Sequence, residues 1–345
     1  MLAKWAEYPA GREVEYLELL DIAFADPVVR EFVVRQLNKL NDIDFDQYML
    51  QMVQCLKYES YHDSPLARLL LRRALKSPFK VGHNLYWLLR SEMHNSDVAV
   101  RYGLILKVYV SKCGPHRIHL KRQIEVNDAI QLVAEKVKSV SKSHRSQFAA
   151  DELSKISRYL PPKFQLCLSP RIECSGIKSS NSKVMSSKKM PIWVVFENAD
   201  SKGEDYPAIF KVGDDLRQDL MTLQLLRIMD SFWMKNGLDL RLNPYMCCAT
   251  GKDIGMIEVV KSSDTTARIQ VEYGGKNMGA WRDTPIDMFL RENNKDAQYF
   301  QSVGKSCEPA MLSPAKQEVQ LTKQNPSSQK TLFIHARDTA SQPMF

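Results

Sequence analysis

The feature that most limits the fold is a change of hydrophobic period part-way along the chain. From residue 1 to about residue 120, apolar side chains recur at steps of three and four, as in Pro27–Leu37 and in 45–56. That spacing gives each helix one buried face. After about residue 190 the apolar residues form short runs between turn residues, which is typical of β-strands. The chain is therefore predicted to be an α+β protein, with a helical part followed by a sheet.

Short breaks separate the helices of the first part. Pro27 and Pro65 fall at predicted first-turn positions, where the missing N–H of a proline costs no hydrogen bond. Short connections between amphipathic helices predict stacked antiparallel pairs, although no strict sequence repeat marks a regular solenoid. More polar helices are predicted over 120–160, and Pro161-Pro162 ends the helical part.

The second part opens with a segment, 169–189, that is rich in serine and lysine and is predicted to form a mobile connection ending in a loop. Several later runs have the composition of strands, and one has the spacing of an amphipathic helix. The strands are predicted at 192–196, 206–211, 245–249 and 255–260, with 268–273 as a further candidate, and the helix is predicted at 219–235.

Composition narrows the possible partners. The net charge of +8 favours an anionic partner such as a nucleotide or a membrane surface, and the dispersed basic residues argue against nucleic acid. No apolar run approaches the roughly 18–20 residues of a membrane span, so a soluble, cytoplasmic protein is predicted. The seven cysteines include no C-x-x-C pair, which argues against a disulfide framework or a structural zinc site.

The segment 209–219, IFKVGDDLRQD, carries the most informative chemistry. It places Lys211 at a strand end, a tight turn at Gly213 and Asp219 near the start of a helix. Kinases hold nucleotide phosphates with a strand lysine that a carboxylate on the following helix orients. Taken alone, a lysine and an aspartate at this spacing are more often part of a solvated charged turn.

Longer sequence strings favour the kinase interpretation. The string 209–219 resembles the lysine motif of the phosphoinositide 3-kinase family, and the strings 56–75 and 82–93 resemble the helical domain of that family. Both occur in the family's order, so the chain resembles a phosphoinositide 3-kinase catalytic subunit over about residues 10–303. Within the family, the string 268–274 resembles the class II enzymes.

The resemblance implies an organisation along the chain. The expected fold is a helical-repeat-like accessory domain followed by the antiparallel-sheet N-lobe of a lipid kinase, with the C-lobe absent. The expected divisions are a helical accessory domain at 1–120, a helical connector at 121–168, a partial phosphoinositide 3-/4-kinase catalytic domain with N-lobe and hinge at 169–303, and a divergent, disordered tail at 304–345.

The resemblance also implies an ATP-phosphate site. Ser187 and Lys189 in the family's phosphate loop, 185–191, would bind phosphates, and Lys211 would hold the α- and β-phosphates. Asp219 would orient Lys211. The loop alone has the composition of a flexible basic linker, and Asp219 alone could serve as an N-terminal helix carboxylate, a role compatible with the first.

The adenine pocket follows from the same resemblance. Its apolar walls would be Met185, Trp193, Ile209 and Tyr245, and its hinge would be Glu258, Val259 and Val260, whose backbone groups would bind the adenine edge. For each wall residue taken alone, ordinary core packing is the alternative. His62 and His83 lie in the helical-domain strings and are predicted to be structural.

The catalytic strings of the family, D-R-H-x-x-N and D-F-G, do not occur in the sequence, so no catalytic or metal-binding residue is assigned. Phosphoryl transfer depends on the groups and magnesium ions that these strings position. A truncated form is therefore expected, with weak ATP binding and no activity alone. Magnesium, phosphoinositide lipids and peripheral membrane association are expected of the full-length family enzyme. The alternative is a non-catalytic helical interaction module that binds protein partners, or a truncated regulatory isoform. A third interpretation is a protein-kinase-like nucleotide binder that uses the C-lobe of a partner.

Overall fold

The computed structural model describes residues 13–240, 242–261, 263–275 and 284–293, together with the backbone of 317–322 and 332–336. They divide into two compact units. The first unit comprises Met1–Arg217 and Met246–Glu258, and the second comprises Gln218–Tyr245 and Val259–Phe345. Helices come first and an antiparallel sheet follows, so the predicted fold class is confirmed.

Within the described residues, the first unit has a 3-10 helix, Glu13–Leu20, followed by a series of α-helices. They are α1 (Pro27–Leu37), α2 (Asp42–Gln47), α3 (Met49–Cys55), α4 (Pro65–Lys76), α5 (His83–Ser91), α6 (Ser96–Lys112), α7 (His116–Val137) and α8 (Arg145–Ser157). The continuous helical run expected over 45–56 is interrupted at Tyr48. Its φ of −101° and ψ of 9° lie in the bridge region and outside the helical region, so the run is divided into two helices there.

Side-chain caps explain where two of these helices begin. Asp26 accepts a hydrogen bond of 2.8 Å from the backbone N–H of Val28, and Pro27 occupies the first position of α1. Ser64 does the same for the N–H of Ala67 at 3.2 Å, ahead of α4. Each cap satisfies a backbone donor that has no partner within its helix. The proline positions predicted from the sequence are confirmed.

The sheet of the first unit is entirely antiparallel. Its strands are β1 (Phe164–Leu166), β2 (Ser169–Ile177), β3 (Lys183–Val184), β4 (Ile192–Asn198), β5 (Tyr206–Val212), β6 (Cys247–Gly251) and β7 (Ile254–Glu258). Their order is β1-β2-β4-β5-β7-β6, and β3 pairs with the other end of β4. The four main strands predicted from composition are confirmed, with bounds shifted by one or two residues at their ends.

The mobile connection predicted over 169–189 is wrong for its first half. That stretch forms β2, in which Cys174 and Ile177 are buried and pair with Asn198 and Phe196 of β4. β2 contains Pro170 and Gly176, which are residue types depleted from strands, but pairing and burial against neighbouring strands outweigh local propensity.

Helices and sheet of the first unit share one hydrophobic core, which runs from Tyr16 to Met256. In β5, Ala208 and Phe210 are buried in it, whereas Ile209 and Lys211 lie on the opposite, half-buried face. Successive side chains of a strand point to opposite faces of the sheet, so these two pairs of residues must lie on different faces. The half-buried face of the sheet is therefore the one that carries Lys211.

In the second unit the described elements are α9 (Arg217–Lys235), whose first residue closes the first unit, β8 (Ser263–Thr265), α10 (Thr266–Gly274), α11 (Thr284–Asn293), β9 (Gln317–Thr322) and β10 (Leu332–Ala336). The three strands form an antiparallel sheet in the order β10-β9-β8. β9 and β10 fall within the predicted disordered tail, 304–345, and the rest of that tail lies outside the described residues.

The strand considered at 268–273 is wrong, because this stretch forms α10. Thr265 caps the helix by accepting a hydrogen bond of 3.2 Å from the N–H of Arg268. Ile269 is fully buried in a small core with Phe289 and Leu290 of α11. The cap and the packing of two helices outweigh the β-branched residues that indicated a strand.

Candidate functional site

Lys211 lies near the end of β5, directly opposite Gly255 of β7. Its side chain is 11% exposed, and its Nζ lies 3.0 Å from Oδ2 of Asp214. The neighbouring strand can offer no side chain opposite Lys211, because a Cβ on Gly255 would lie 2.3 Å from the carbonyl oxygen of Cys248. The fold thus holds a partly buried ammonium group with one carboxylate beside it.

The turn after Lys211 is tied to the hairpin that joins β6 and β7. The N–H groups of Gly213 and Asp214 both donate to the carbonyl oxygen of Asp253, at 2.7 and 3.1 Å. Gly213 has a φ of 91°, a conformation that side chains disfavour. The sequence motif predicts this turn, but it does not identify Asp214 as the carboxylate that contacts Lys211. Asp214 lies three residues after Lys211, on the far side of the glycine turn, and that spacing is the signal that could have identified it.

The predicted phosphate loop connects β3 to β4 and closes on itself. The N–H of Met185 donates to the carbonyl of Pro191 at 2.9 Å, and the N–H of Ser187 donates to the carbonyl of Met185 at 2.9 Å. A Cβ built on Gly213 would lie 3.8 Å from Cδ of Lys189 and 3.9 Å from its Nζ. The fold therefore brings the lysine of the phosphate loop beside the turn that follows Lys211.

Two of the predicted adenine walls lie on the same face of the sheet as Lys211. Trp193 of β4 and Ile209 of β5 are register partners, and both are half-buried. Lys183 Nζ lies 5.5 Å from the ring centroid of Trp193, a cation–π distance. Met185 is half-buried directly after β3. The face combines an apolar platform with basic groups.

Two of the predicted hinge residues already make hydrogen bonds within their own units. The N–H of Glu258 donates to the carbonyl of Met246 at 2.8 Å, and Oε2 of Glu258 accepts from the N–H of Met246 at 2.7 Å. The carbonyl of Val260 accepts from Oγ of Ser263 at 2.7 Å. The side chain and the N–H of Glu258 thus both close the pairing of β6 with β7.

The predicted site residues are divided between the units. The first unit holds Met185, Ser187, Lys189, Trp193, Ile209, Lys211 and Glu258, and the second holds Asp219, Tyr245, Val259 and Val260. Asp219 lies in the first turn of α9, and the carbonyl of Tyr245 accepts from Nη2 of Arg227 at 2.9 Å. Their roles toward ATP stay predictions.

Neither a metal cluster nor a membrane span is found in the part of the chain that the structure describes. Across those residues, no three or more His, Cys, Asp or Glu side chains are grouped so that they could hold a metal ion. No described helix combines the length and the apolar character needed to cross a membrane.

Comparison with known families agrees with this architecture. Residues 1–122 match the accessory domain (PIK domain) of the phosphoinositide 3-kinase family, and residues 205–340 match the phosphatidylinositol 3- and 4-kinase domain. The second match runs past residue 303, where the sequence predicted the resemblance to end. The two matches lie on the chain in the predicted order.

Individual relatives match most of the chain. Phosphatidylinositol 3-kinase 2 of Dictyostelium discoideum is 43% identical over 293 residues, which are 85% of this chain and 16% of that protein. The phosphatidylinositol 4-phosphate 3-kinase C2 domain-containing subunit alpha of Pongo abelii is 36% identical over 302 residues, 87% of this chain and 18% of that protein. The human subunit beta is 36% identical over 281 residues, 81% of this chain and 17% of that protein.

The chain thus spans less than a fifth of the length of these relatives. The C2 domain-containing subunits among them agree with the class II resemblance of residues 268–274. With an accessory domain, a kinase-domain match and this identity over most of its length, the chain belongs to the phosphoinositide 3-kinase family.

Proposed function

We propose that this chain supplies the helical accessory domain and the phosphate-gripping strands of a phosphatidylinositol 3-kinase, which uses ATP to phosphorylate the 3-hydroxyl of inositol lipids. The observation that carries the proposal is the position of Lys189 beside the turn that follows Lys211. Two basic groups from separate motifs then lie close to one turn. In the whole enzyme, phosphoinositides at a membrane surface are the proposed substrates.

The proposed chemistry is electrostatic recognition of phosphate. A lysine ammonium is a compact charge with three donors, which suits it to meet several phosphate oxygens. Asp214 holds Lys211 at 3.0 Å and so limits the positions of its ammonium group. Ser187 and Lys189 would add charge-assisted hydrogen bonds, each contributing about 1.5–3 kcal/mol. Asp219 is proposed as a second orienting carboxylate.

The proposed adenine site uses the apolar platform of the same face. Trp193 and Ile209 would pack against the adenine ring, with Met185 and Tyr245 as further walls, because stacking an aromatic base on apolar side chains removes both from water. The backbone of Glu258, Val259 and Val260 would bind the polar edge of the ring. Recognition by backbone groups does not depend on the identity of the side chains at these positions.

We expect ATP to bind to this chain weakly, with a dissociation constant on the order of 1 mM, and through Lys211. Lys211→Ala removes one charge-assisted contact of about 1.5–3 kcal/mol, so the constant should rise about 10- to 100-fold. An NMR titration with ATP measures both values, and addition of magnesium should change them little. Lys202→Ala, at an exposed lysine in the loop before β5, is the matched control. Equal affinities for the wild type and Lys211→Ala would favour the non-catalytic helical module instead.

We expect no phosphoryl transfer by the purified chain above background. The sequence contains neither catalytic string of the family, and the described residues contain no metal-binding cluster. The assay combines radiolabelled ATP, magnesium and phosphatidylinositol vesicles. Turnover that survives purification and is lost in Lys211→Ala would show that other residues of the chain supply the missing groups.

A further inference from the structure

Glu92 is a buried carboxylate of the accessory domain that reaches toward the kinase motif. It follows α5, and its side chain is 6% exposed. Its Oε1 accepts a hydrogen bond of 3.2 Å from Gln54 and lies 3.3 Å from Nη1 of Arg217. Its Oε2 lies 4.0 Å from Nζ of Lys57. A buried charge is costly unless it is paired, so these partners are what allow Glu92 to be buried.

Arg217 is the arginine of the IFKVGDDLRQD string and links Glu92 to the turn. Its Nε and Nη2 bind Asp215 in a fork, at 2.8 and 2.6 Å, while Nη1 extends to Glu92. Asp215 Oδ1 also accepts the backbone N–H of Arg217 at 3.1 Å. The hydrogen bonds from Arg217 lower the pKa of Asp215 from its ordinary value. A planar guanidinium with five donors can hold both carboxylates at once.

The turn from Gly213 to Arg217 is therefore held from two sides. On one side its backbone N–H groups donate to the carbonyl of Asp253, and on the other Arg217 is bound by Glu92. Asp214, which contacts Lys211, is itself one of the donors to Asp253 and lies three residues before Arg217. Movement of the arginine end of the turn would be passed to Asp214 and then to the ammonium group.

We propose that Glu92 is a positioning residue for the phosphate-binding lysine: through Arg217 it fixes the turn that carries Asp214, and the accessory domain thereby sets the geometry of Lys211. The proposal rests on the proposed function of Lys211. Lys57 lies near the second oxygen of Glu92, so the carboxylate keeps a cation when Arg217 is changed. Variants at Arg217 should therefore remain folded.

The test compares Glu92→Gln, Arg217→Gln and the double variant in the full chain. Hydrogen exchange of the backbone amides at 213–217, followed by mass spectrometry, should become about 10-fold faster in each single variant, because one charge-assisted contact is lost. The double variant should be no faster than the single ones, since all three break the same bridge. ATP affinity in Glu92→Gln should fall about three- to tenfold.

Glu152→Gln is the matched control. Glu152 is also a carboxylate of the helical part, and it binds Lys136 and Lys155 at 2.7 Å each. It should change neither exchange at 213–217 nor ATP affinity. Unfolding in urea, measured on every variant, separates a local effect from a general loss of stability.

The outcomes separate this proposal from the proposed function. Unchanged exchange at 213–217 in Glu92→Gln, or faster exchange spread equally over α4 and α6, would overturn the positioning role. Local loosening without any change in ATP affinity would overturn it too, provided that Lys211→Ala still weakens binding. If Lys211→Ala has no effect on ATP binding, the proposed function itself fails, and the positioning role fails with it.

Discussion

Glu59→Met is expected to lower the free energy of unfolding by about 3–5 kcal/mol. Glu59 and Arg30 form a salt bridge of 3.0 Å in which both side chains are 4% exposed. Arg30 also donates to the carbonyls of Leu20 and Asp21, at 3.2 and 3.0 Å. Without Glu59, the guanidinium stays buried and charged, because arginine does not lose its proton in proteins. Carbonyl oxygens alone do not replace a carboxylate.

The matched variants are Arg30→Met and the double variant Arg30→Met/Glu59→Met. When both charges are replaced by apolar groups of similar volume, much of the loss should be recovered, because the desolvation cost disappears together with the attraction. Urea unfolding followed by far-UV circular dichroism gives the three free energies, and the double-mutant cycle gives the coupling between the two positions. Equal stability of wild type and Glu59→Met would show that the pair contributes nothing to the helical part.

The parts of the fold that the sequence predicted best are those governed by local rules. Pro27 and Pro65 sit at the first turns of α1 and α4, since a proline and a preceding cap residue act within a few positions. The errors lie where contacts distant in the chain decide. β2 is a strand because β4 pairs with it, and α10 is a helix because α11 covers Ile269.

In the candidate site, too, residues of one continuous string are predictable from the sequence, and contacts between distant segments are not. A continuous string predicts Lys211, and the structure has it on the predicted strand. Asp214 lies in the same string, but the family pattern assigns the orienting role to Asp219 and gives no role to Asp214. Glu92 gave no usable signal, since a pairing with Arg217 between two separate segments leaves no trace in a single sequence. Geometry was needed to connect the accessory domain with the lysine turn.

The second large effect is a loss of folding stability at low pH. Between pH 7 and pH 5 the free energy of unfolding is expected to fall by on the order of 4 kcal/mol, because two buried histidines must remain neutral in the folded chain. Burial lowers the pKa of His83 to about 4. Burial, together with the charges of His83 and His119, lowers the pKa of His116 to about 3. Their rings lie 5.9 Å apart, between centroids.

The hydrogen bonds of the two histidines show why neither ring takes up a second proton in the folded chain. Nε2 of His83 donates to the carbonyl of Cys167 at 2.8 Å, and its buried Nδ1 has no partner among the described residues. Nδ1 of His116 is bound to the hydroxyl of Tyr109 at 2.8 Å, and its Nε2 likewise has no partner in the described part of the chain. A proton added at either nitrogen would create a buried charge without a hydrogen bond.

The sign of the effect follows from where each state binds protons. An unfolded histidine titrates near 6.5, above both folded values, so the unfolded chain binds more protons below that pH. The stabilisation is complete above about pH 7 and is lost as the pH falls through 6.5 toward 4. Two protons correspond to a slope of about 2.7 kcal/mol per pH unit near pH 5. Urea unfolding at intervals from pH 8 to pH 5 measures this slope.

Removing one of the two titrating groups isolates its share of the slope. His83→Gln should reduce the slope near pH 5 to about 1.4 kcal/mol per pH unit, because a single proton then separates the two states. The variant should also be less stable at pH 7, so the slope and not the midpoint is the decisive quantity. His62→Gln, at an exposed histidine of the same domain, should retain the full slope. If His83→Gln and the wild type have the same slope, acid destabilisation arises elsewhere, and the buried pair of histidines does not control it.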